Sequence, residues 1–267
     1  MYKILKKMLL KTICLLLVTF LPLCVYIYTR EHSQYIFNIN SSGQINKYII
    51  RAEFNPVDKE IYLNQEIIFT NNIKRQLKKI YFYLYPNSFQ YRDYHTFHQS
   101  QMSEIYPNGF NPGYIDINSV KVDEGNCDYK IIGKDKTILM VSLNKPIDIN
   151  EKIIIDVEGN VKIPNRKGRF GFIEDTYSVT NWHPTLAMYN QKGWHLDFST
   201  KVEKSFYSDV SNYHVELITP KDYIPKVTGS IVKKVKLEDK VCYHIDGFNL
   251  KDFPIVISKS LKNNGRE

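Results

Sequence analysis

Tyr48-Ile49-Ile50-Arg51-Ala52-Glu53-Phe54 is the stretch that decides the fold class. Tyr48, Ile50, Ala52 and Phe54 alternate with Ile49, Arg51 and Glu53, and Pro56 ends the run. A period of two sends one set of side chains to each face of a strand, with one face apolar enough for a core. The same signal returns at Ile61–Thr70, Ile80–Tyr85, Tyr114–Val122, Thr137–Leu143, Lys152–Ile163, Tyr213–Thr219, Lys226–Val235, Val241–Ile245 and Pro254–Ser258. Turn chemistry separates these runs at Asn71-Asn72, Pro86-Asn87, Glu124-Gly125-Asn126, Asn144-Lys145-Pro146 and Asp246-Gly247. Short strands joined by such turns predict an all-β domain, a sandwich or a large, mostly antiparallel sheet.

Composition agrees. The chain has 267 residues, 43% of them hydrophobic and 13% aromatic, enough for a real core. Its only alanines are Ala52 and Ala187, whereas strand formers such as Tyr, Ile, Phe and Val are plentiful. Two stretches interrupt the strand rhythm: Tyr85–Gly113, broken by Pro86, Pro107 and Pro112, and Gly168–Phe206, with Trp182, Pro184 and Trp194. Both are too aromatic for linkers, and long excursions of this kind either carry function or pack over a sheet edge.

The net charge is +8, but its location removes the nucleic-acid reading. Lys3, Lys6, Lys7, Lys11 and Arg30 occur in residues 1–30 with no acid, and without them 31 bases face 28 acids. A nucleic-acid binder carries its excess as a patch on the fold. Here the excess flanks Ile13–Tyr28, a charge-free apolar run that reaches bilayer length when counted from Leu9 with Lys11 snorkelling. The basic flank predicts a cytoplasmic N-terminus and an exported remainder, with Lys3, Lys6, Lys7 and Lys11 setting the orientation. A cleaved signal peptide would need small residues soon after the run. None is suitably placed, and Leu23 is too bulky for a lipoprotein box at Leu21-Pro22-Leu23-Cys24, so a retained anchor is favoured. The expected organisation is an anchor over 1–30, a stalk over 31–46, a β-domain over 47–259 and a truncated linker over 260–267. Of the four cysteines, Cys14 and Cys24 fall in the anchor, while Cys127 and Cys242 form either one bridge or, as favoured, two buried thiols.

No catalytic centre emerges from spacing. Successive histidines are 63, 3, 85, 12, 19 and 30 residues apart, which excludes a His-Glu-x-x-His helix with both imidazoles on one face. His95 and His98, with Asp93 and Glu104 nearby, are weak metal candidates that lack a third and fourth ligand. Gly-x-Ser-x-Gly, Cys-x-x-Cys and a phosphate-cradling loop are all missing. Gly168-Arg169-Phe170-Gly171 reads as a tight turn with an exposed Arg. Asn181-Trp182-His183-Pro184 and Gly193-Trp194-His195 hold two Trp-His pairs that either line a carbohydrate or peptide groove or cap the core; the second reading is favoured.

A set of segments in order resembles one family. These are Tyr83-Leu84-Tyr85-Pro86-Asn87-Ser88-Phe89, Gly113-Tyr114-Ile115-Asp116-Ile117, Lys162-Ile163-Pro164, Arg169-Phe170-Gly171 and Asn181-Trp182-His183-Pro184. Gly193-Trp194, Phe206–Val210, Tyr213–Pro220, Thr228-Gly229 and Asp252–Ser258 follow. Together they resemble the N-terminal β-domain of aminopeptidase-N-like zinc metallopeptidases, especially bacterial membrane-anchored members. The resemblance implies a saddle-shaped, mostly antiparallel β-structure that precedes a thermolysin-like catalytic domain. The family's His-Glu-x-x-His and Gly-x-Met-Glu-Asn loop have no counterpart here, so the chain is expected to hold no cofactor; zinc would belong to the missing catalytic domain. Three functions follow: a truncated or split member that docks a catalytic domain in cis or in trans, a free-standing surface binding module, or, last, an enzyme with an unfamiliar site. By the same resemblance Trp182, His183, Trp194, Phe253, Ile255 and Ile257 are expected to present an interface.

Overall fold

A computed structural model describes residues 45–92, 99–133, 135–196 and 208–261. These residues are mostly strand. The largest sheet has eight strands in the order β16 (Ser230–Lys236), β17 (Lys240–Leu250), β14 (Ser211–Pro220), β1 (Asn46–Asn55), β2 (Glu60–Thr70), β8 (Lys152–Lys162), β4 (Tyr114–Val122) and β5 (Gly125–Asn126). A four-stranded sheet follows the order β15 (Ile224–Val227), β18 (Ile255–Ser258), β10 (Thr176–Val179) and β9 (Phe170–Ile173). Another runs β11 (Thr185–Leu186), β3 (Leu77–Tyr83), β7 (Ile138–Ile147) and β6 (Tyr129–Ile132). A small hairpin joins β12 (Tyr189–Asn190) to β13 (Gly193–Trp194). The one α-helix among the described residues, α1 (Gln99–Ile105), lies in the first of the two aromatic excursions.

The expected alternation holds on β1. Tyr48, Ile50, Ala52 and Phe54 are buried, while Ile49, Arg51 and Glu53 face outward. Ile61, Leu63, Ile67 and Phe69 of β2, Ile153, Ile155, Val157 and Val161 of β8, and Tyr213, Val215 and Leu217 of β14 continue the same inner face. They form one apolar cluster with Ile80 and Phe82 of β3, Leu139 and Val141 of β7, and Tyr177, Ile255 and Ile257 of the second sheet. The smaller sheets thus share the core of the large one, and its other face carries the polar residues.

The large sheet is mixed. All its pairings are antiparallel except β1 with β14, which run parallel from Asn46 beside Ser211 to Glu53 beside Ile218. A parallel pair needs a long crossover, and here the whole middle of the chain intervenes between the two strands.

Two expected turns lie inside strands. Asn144-Lys145-Pro146 belongs to β7, where the register with β3 jumps between Leu77 and Lys79 and leaves these residues as an exposed bulge. Asp246-Gly247 belongs to β17, next to a register shift against β14. Turn-forming residues relieve the ladder at a bulge for the same reason that they end strands elsewhere. The single strand expected over Lys226–Val235 divides at Gly229, whose φ of +107° ends β15 and starts β16. Cys127 and Cys242 are free thiols, the first half-buried and the second buried.

Candidate functional site

Trp182 and His183 sit in the core. Neither has any exposure, and the same is true of Phe253, Ile255 and Ile257. The expected apolar interface made by these residues is therefore corrected: β18 runs between β15 and β10, and its Ile255 and Ile257 point into the shared core. The indole Nε1 of Trp182 donates to the Phe253 carbonyl at 2.9 Å, which satisfies a polar atom that burial would otherwise leave costly. One residue away, the Asp252 carboxylate accepts the Asn181 backbone N–H at 3.0 Å and the Phe253 N–H at 2.7 Å. Burial pushes the Asp252 carboxyl up to about 6, against the pull of those two N–H donors.

His183 lies edge-on to Tyr48, Tyr213 and Trp182. Its Nδ1–H donates to the Pro184 carbonyl at 3.2 Å, and burial holds the imidazole down at about 4. The ring is therefore neutral at pH 7. Nε2 finds no hydrogen-bond partner among the described residues. Gln65 reaches the same Pro184 carbonyl through Nε2 at 2.8 Å, so two side chains converge on one acceptor. This is a structural polar node, closed to a substrate.

The second Trp-His pair is placed differently. Trp194 is half-buried, packed on Tyr81 and edge-on to Tyr189. It lines an open cleft of about 430 Å³ together with Ile45, Phe69, Leu186, Met188 and Asp209. The backbone N–H of His195 bonds to the Met188 carbonyl, and Tyr83 donates its hydroxyl to the His195 carbonyl. Of the two pairs weighed in the sequence, one caps nothing and fills the core; the other sits on a cleft wall.

A third group gathers on the outer face of the large sheet. His214 and Glu216 alternate on β14, and Cys242, His244 and Asp246 alternate on β17. The antiparallel register sets His214 opposite Asp246 and Glu216 opposite His244. His214 Nδ1 lies 2.7 Å from Asp246 Oδ1, and His244 Nδ1 lies 3.4 Å from Glu216 Oε1. Cys242 Sγ is 3.8 Å from His244 Nε2, and burial, with the Glu216 charge, pushes its thiol up. One donor atom each from His214, Glu216 and His244 falls within 4.8 Å of the others, so these three residues could hold a metal ion. Arg51 of β1 and Lys233 of β16 flank them, opposite Glu216 and His244 respectively.

The remaining candidates lie outside the described residues: His95, His98, Lys3, Lys6, Lys7, Lys11 and the Ile13–Tyr28 segment. Among the described residues no helix is long and apolar enough to cross a membrane.

In fold, the chain is similar to M1 zinc metallopeptidases. The match to the enzyme from Deinococcus radiodurans has 9% sequence identity and a TM-score of 0.48, and covers 80% of this chain and 42% of that one. A mutant of that enzyme bound to a Tyr-Ser-Ala substrate matches at 8% identity, 80% and 42% coverage and a TM-score of 0.48. A two-domain M1 zinc metallopeptidase mutant bound to L-arginine gives the same identity, coverage and score, 8%, 80% and 42%, and 0.48. The chain thus spans less than half the length of these structures. No family model matches it, and no curated protein does.

The donor cluster escapes a reading based on sequence gaps, because His214 and His244 are 30 residues apart. A signal was present in the period of two: His214-x-Glu216 and Cys242-x-His244-x-Asp246 each put every donor on one strand face. What the spacing lacks is which strand lies beside which.

Proposed function

We propose that this chain is the membrane-anchored, non-catalytic β-domain of an aminopeptidase-like zinc metallopeptidase, which supports or docks a catalytic domain in cis or in trans. The observation that supports the reading is where the resembling segments meet. Asn181-Trp182-His183-Pro184 and Asp252-Phe253 interlock through the Trp182 and Asp252 hydrogen bonds, and Tyr213 packs on both Tyr48 and Phe253. Segments far apart in sequence thus serve as one framework. The catalytic zinc and its ligands would belong to the partner domain. Lys3, Lys6, Lys7 and Lys11 would keep the N-terminus in the cytoplasm, leaving the β-domain outside. Nucleic acid has no part in the reading.

The test begins with the DNA immediately downstream of the codon for Glu267. A frame encoding a His-Glu-x-x-His domain is expected there. Produced together, the two parts should copurify and release amino acids from aminoacyl reporters, while the present chain alone should release none. An unrelated downstream gene, with no peptidase that copurifies, would instead leave a free-standing binding module.

A further inference from the structure

We propose that His214, Glu216 and His244 form a zinc-class divalent metal site on the outer face of the eight-stranded sheet, independent of any peptidase partner. Two imidazoles and a carboxylate are a donor set that suits Zn²⁺, with a fourth position open to water or to a further ligand. The strands bring the donors together without loops. Glu216 and His244 are directly opposed, and His214 is the diagonal neighbour of His244, at 6.4 Å between ring centroids.

The donor atoms lie within 4.8 Å of one another, with His244 Nδ1 and Glu216 Oε1 at 3.4 Å. Ligands at about 2.1 Å from a tetrahedral ion lie roughly 3.4 Å apart, so side-chain torsions have at most about 1.4 Å to close. Asp246 prepares one ligand. With His214 Nδ1–H donating to Asp246 Oδ1 at 2.7 Å, Nε2 keeps its lone pair for a metal. Cys242, 3.8 Å from the His244 ring, supplies a soft donor beside the site. Arg51 and Lys233 act in the opposite direction, since each puts a positive charge next to an incoming cation. The expectation of a metal-free chain rests on spacing along the sequence, which is blind to cross-strand pairing.

The full chain, purified in mild detergent and stripped with a chelator, should take up one equivalent of Zn²⁺ and develop visible absorption with Co²⁺. His244→Gln and Glu216→Gln should abolish retention through gel filtration, and Asp246→Asn should weaken it by roughly tenfold or more. Arg51→Gln should bind Zn²⁺ several times more tightly. A misfolded variant could not produce that gain. Retention of no metal by the parent would overturn the proposal. So would a metal held equally well by His244→Gln but lost on replacing His95 or His98.

Discussion

Asp252 and His183 are both displaced by burial, in directions that cancel. Asp252 titrates near 6 in the fold against an ordinary 3.8, and His183 near 4 against an ordinary 6.5. The raised carboxyl favours the fold below its ordinary value and loses that contribution as pH rises through about 6. The lowered imidazole favours the fold above its ordinary value and loses that contribution as pH falls through about 4. Between these limits the folded pair holds one proton on Asp252, and the unfolded pair holds one on histidine. Each displacement is worth on the order of 3 kcal/mol, so the pair leaves stability almost flat across the interval. Asp252→Asn should expose the histidine's cost, losing on the order of 3 kcal/mol on acidification from neutral pH to the lower limit. His183→Gln should slope the other way and gain on acidification. Denaturant melts at several pH values check both; variants that keep the parent's pH profile would refute the coupling.

At the level of strands, burial turns the expected interface, Trp194 apart, into core, with consequences for Trp182 and Ile255, while close backbone approach has one for Gly159. Trp182→Ser removes a buried indole along with its bond to the Phe253 carbonyl, and large-to-small changes of this kind cost about 3–5 kcal/mol. Ile255→Asp places a carboxylate among apolar neighbours with no partner, a cost of several kcal/mol. Against a typical total of about 5–15 kcal/mol, both should broaden or abolish the melting transition rather than alter self-association. Sedimentation beside thermal melting tests this: a sharp parent-like melt with changed association would put these residues back on a surface. Gly159 serves a different need. β4 bulges between Ile117 and Ser119, and a Cβ on Gly159 would meet the Asp116 carbonyl at 2.5 Å. Gly159→Ala should therefore cost about 1–3 kcal/mol, measured as a lowered denaturation midpoint, because backbone cannot yield as a side-chain tip can. The expected strand runs other than Lys226–Val235, which divides at Gly229 and leaves β16 exposed on both faces, were legible with their apolar faces because each depends on residues two apart. Strands β9 and β10 were not: at four residues each, inside an aromatic excursion, they are too short for alternation to stand out.

For the molecule as a whole, the N-terminal apolar run and the β-domain make separate demands. Counted from Leu9 with Lys11 snorkelling, the apolar run to Tyr28 would have the length and the basic flank of a retained span, and the sequence after it offers no suitably placed small residues for cleavage. The protein should stay with membranes after alkaline washing, and its intact mass should include residues 1–30. Recovery of a soluble form lacking that segment would establish secretion. Protease added to intact cells should cut the β-domain and spare the Lys3–Lys11 tip.

Strand character, the apolar faces and the charged flank of the N-terminal run were determined locally, by side chains and their nearest neighbours along the chain. The parallel seating of β1 against β14 was not, because it depends on how the long middle of the chain crosses the sheet. Nor were the different fates of Trp182 and Trp194, similar in sequence setting yet placed in the core and on a cleft wall. The gathering of His214, Glu216 and His244 belongs with these. Alternation tells each donor which face to occupy, but only pairing between β14 and β17 decides which donors meet.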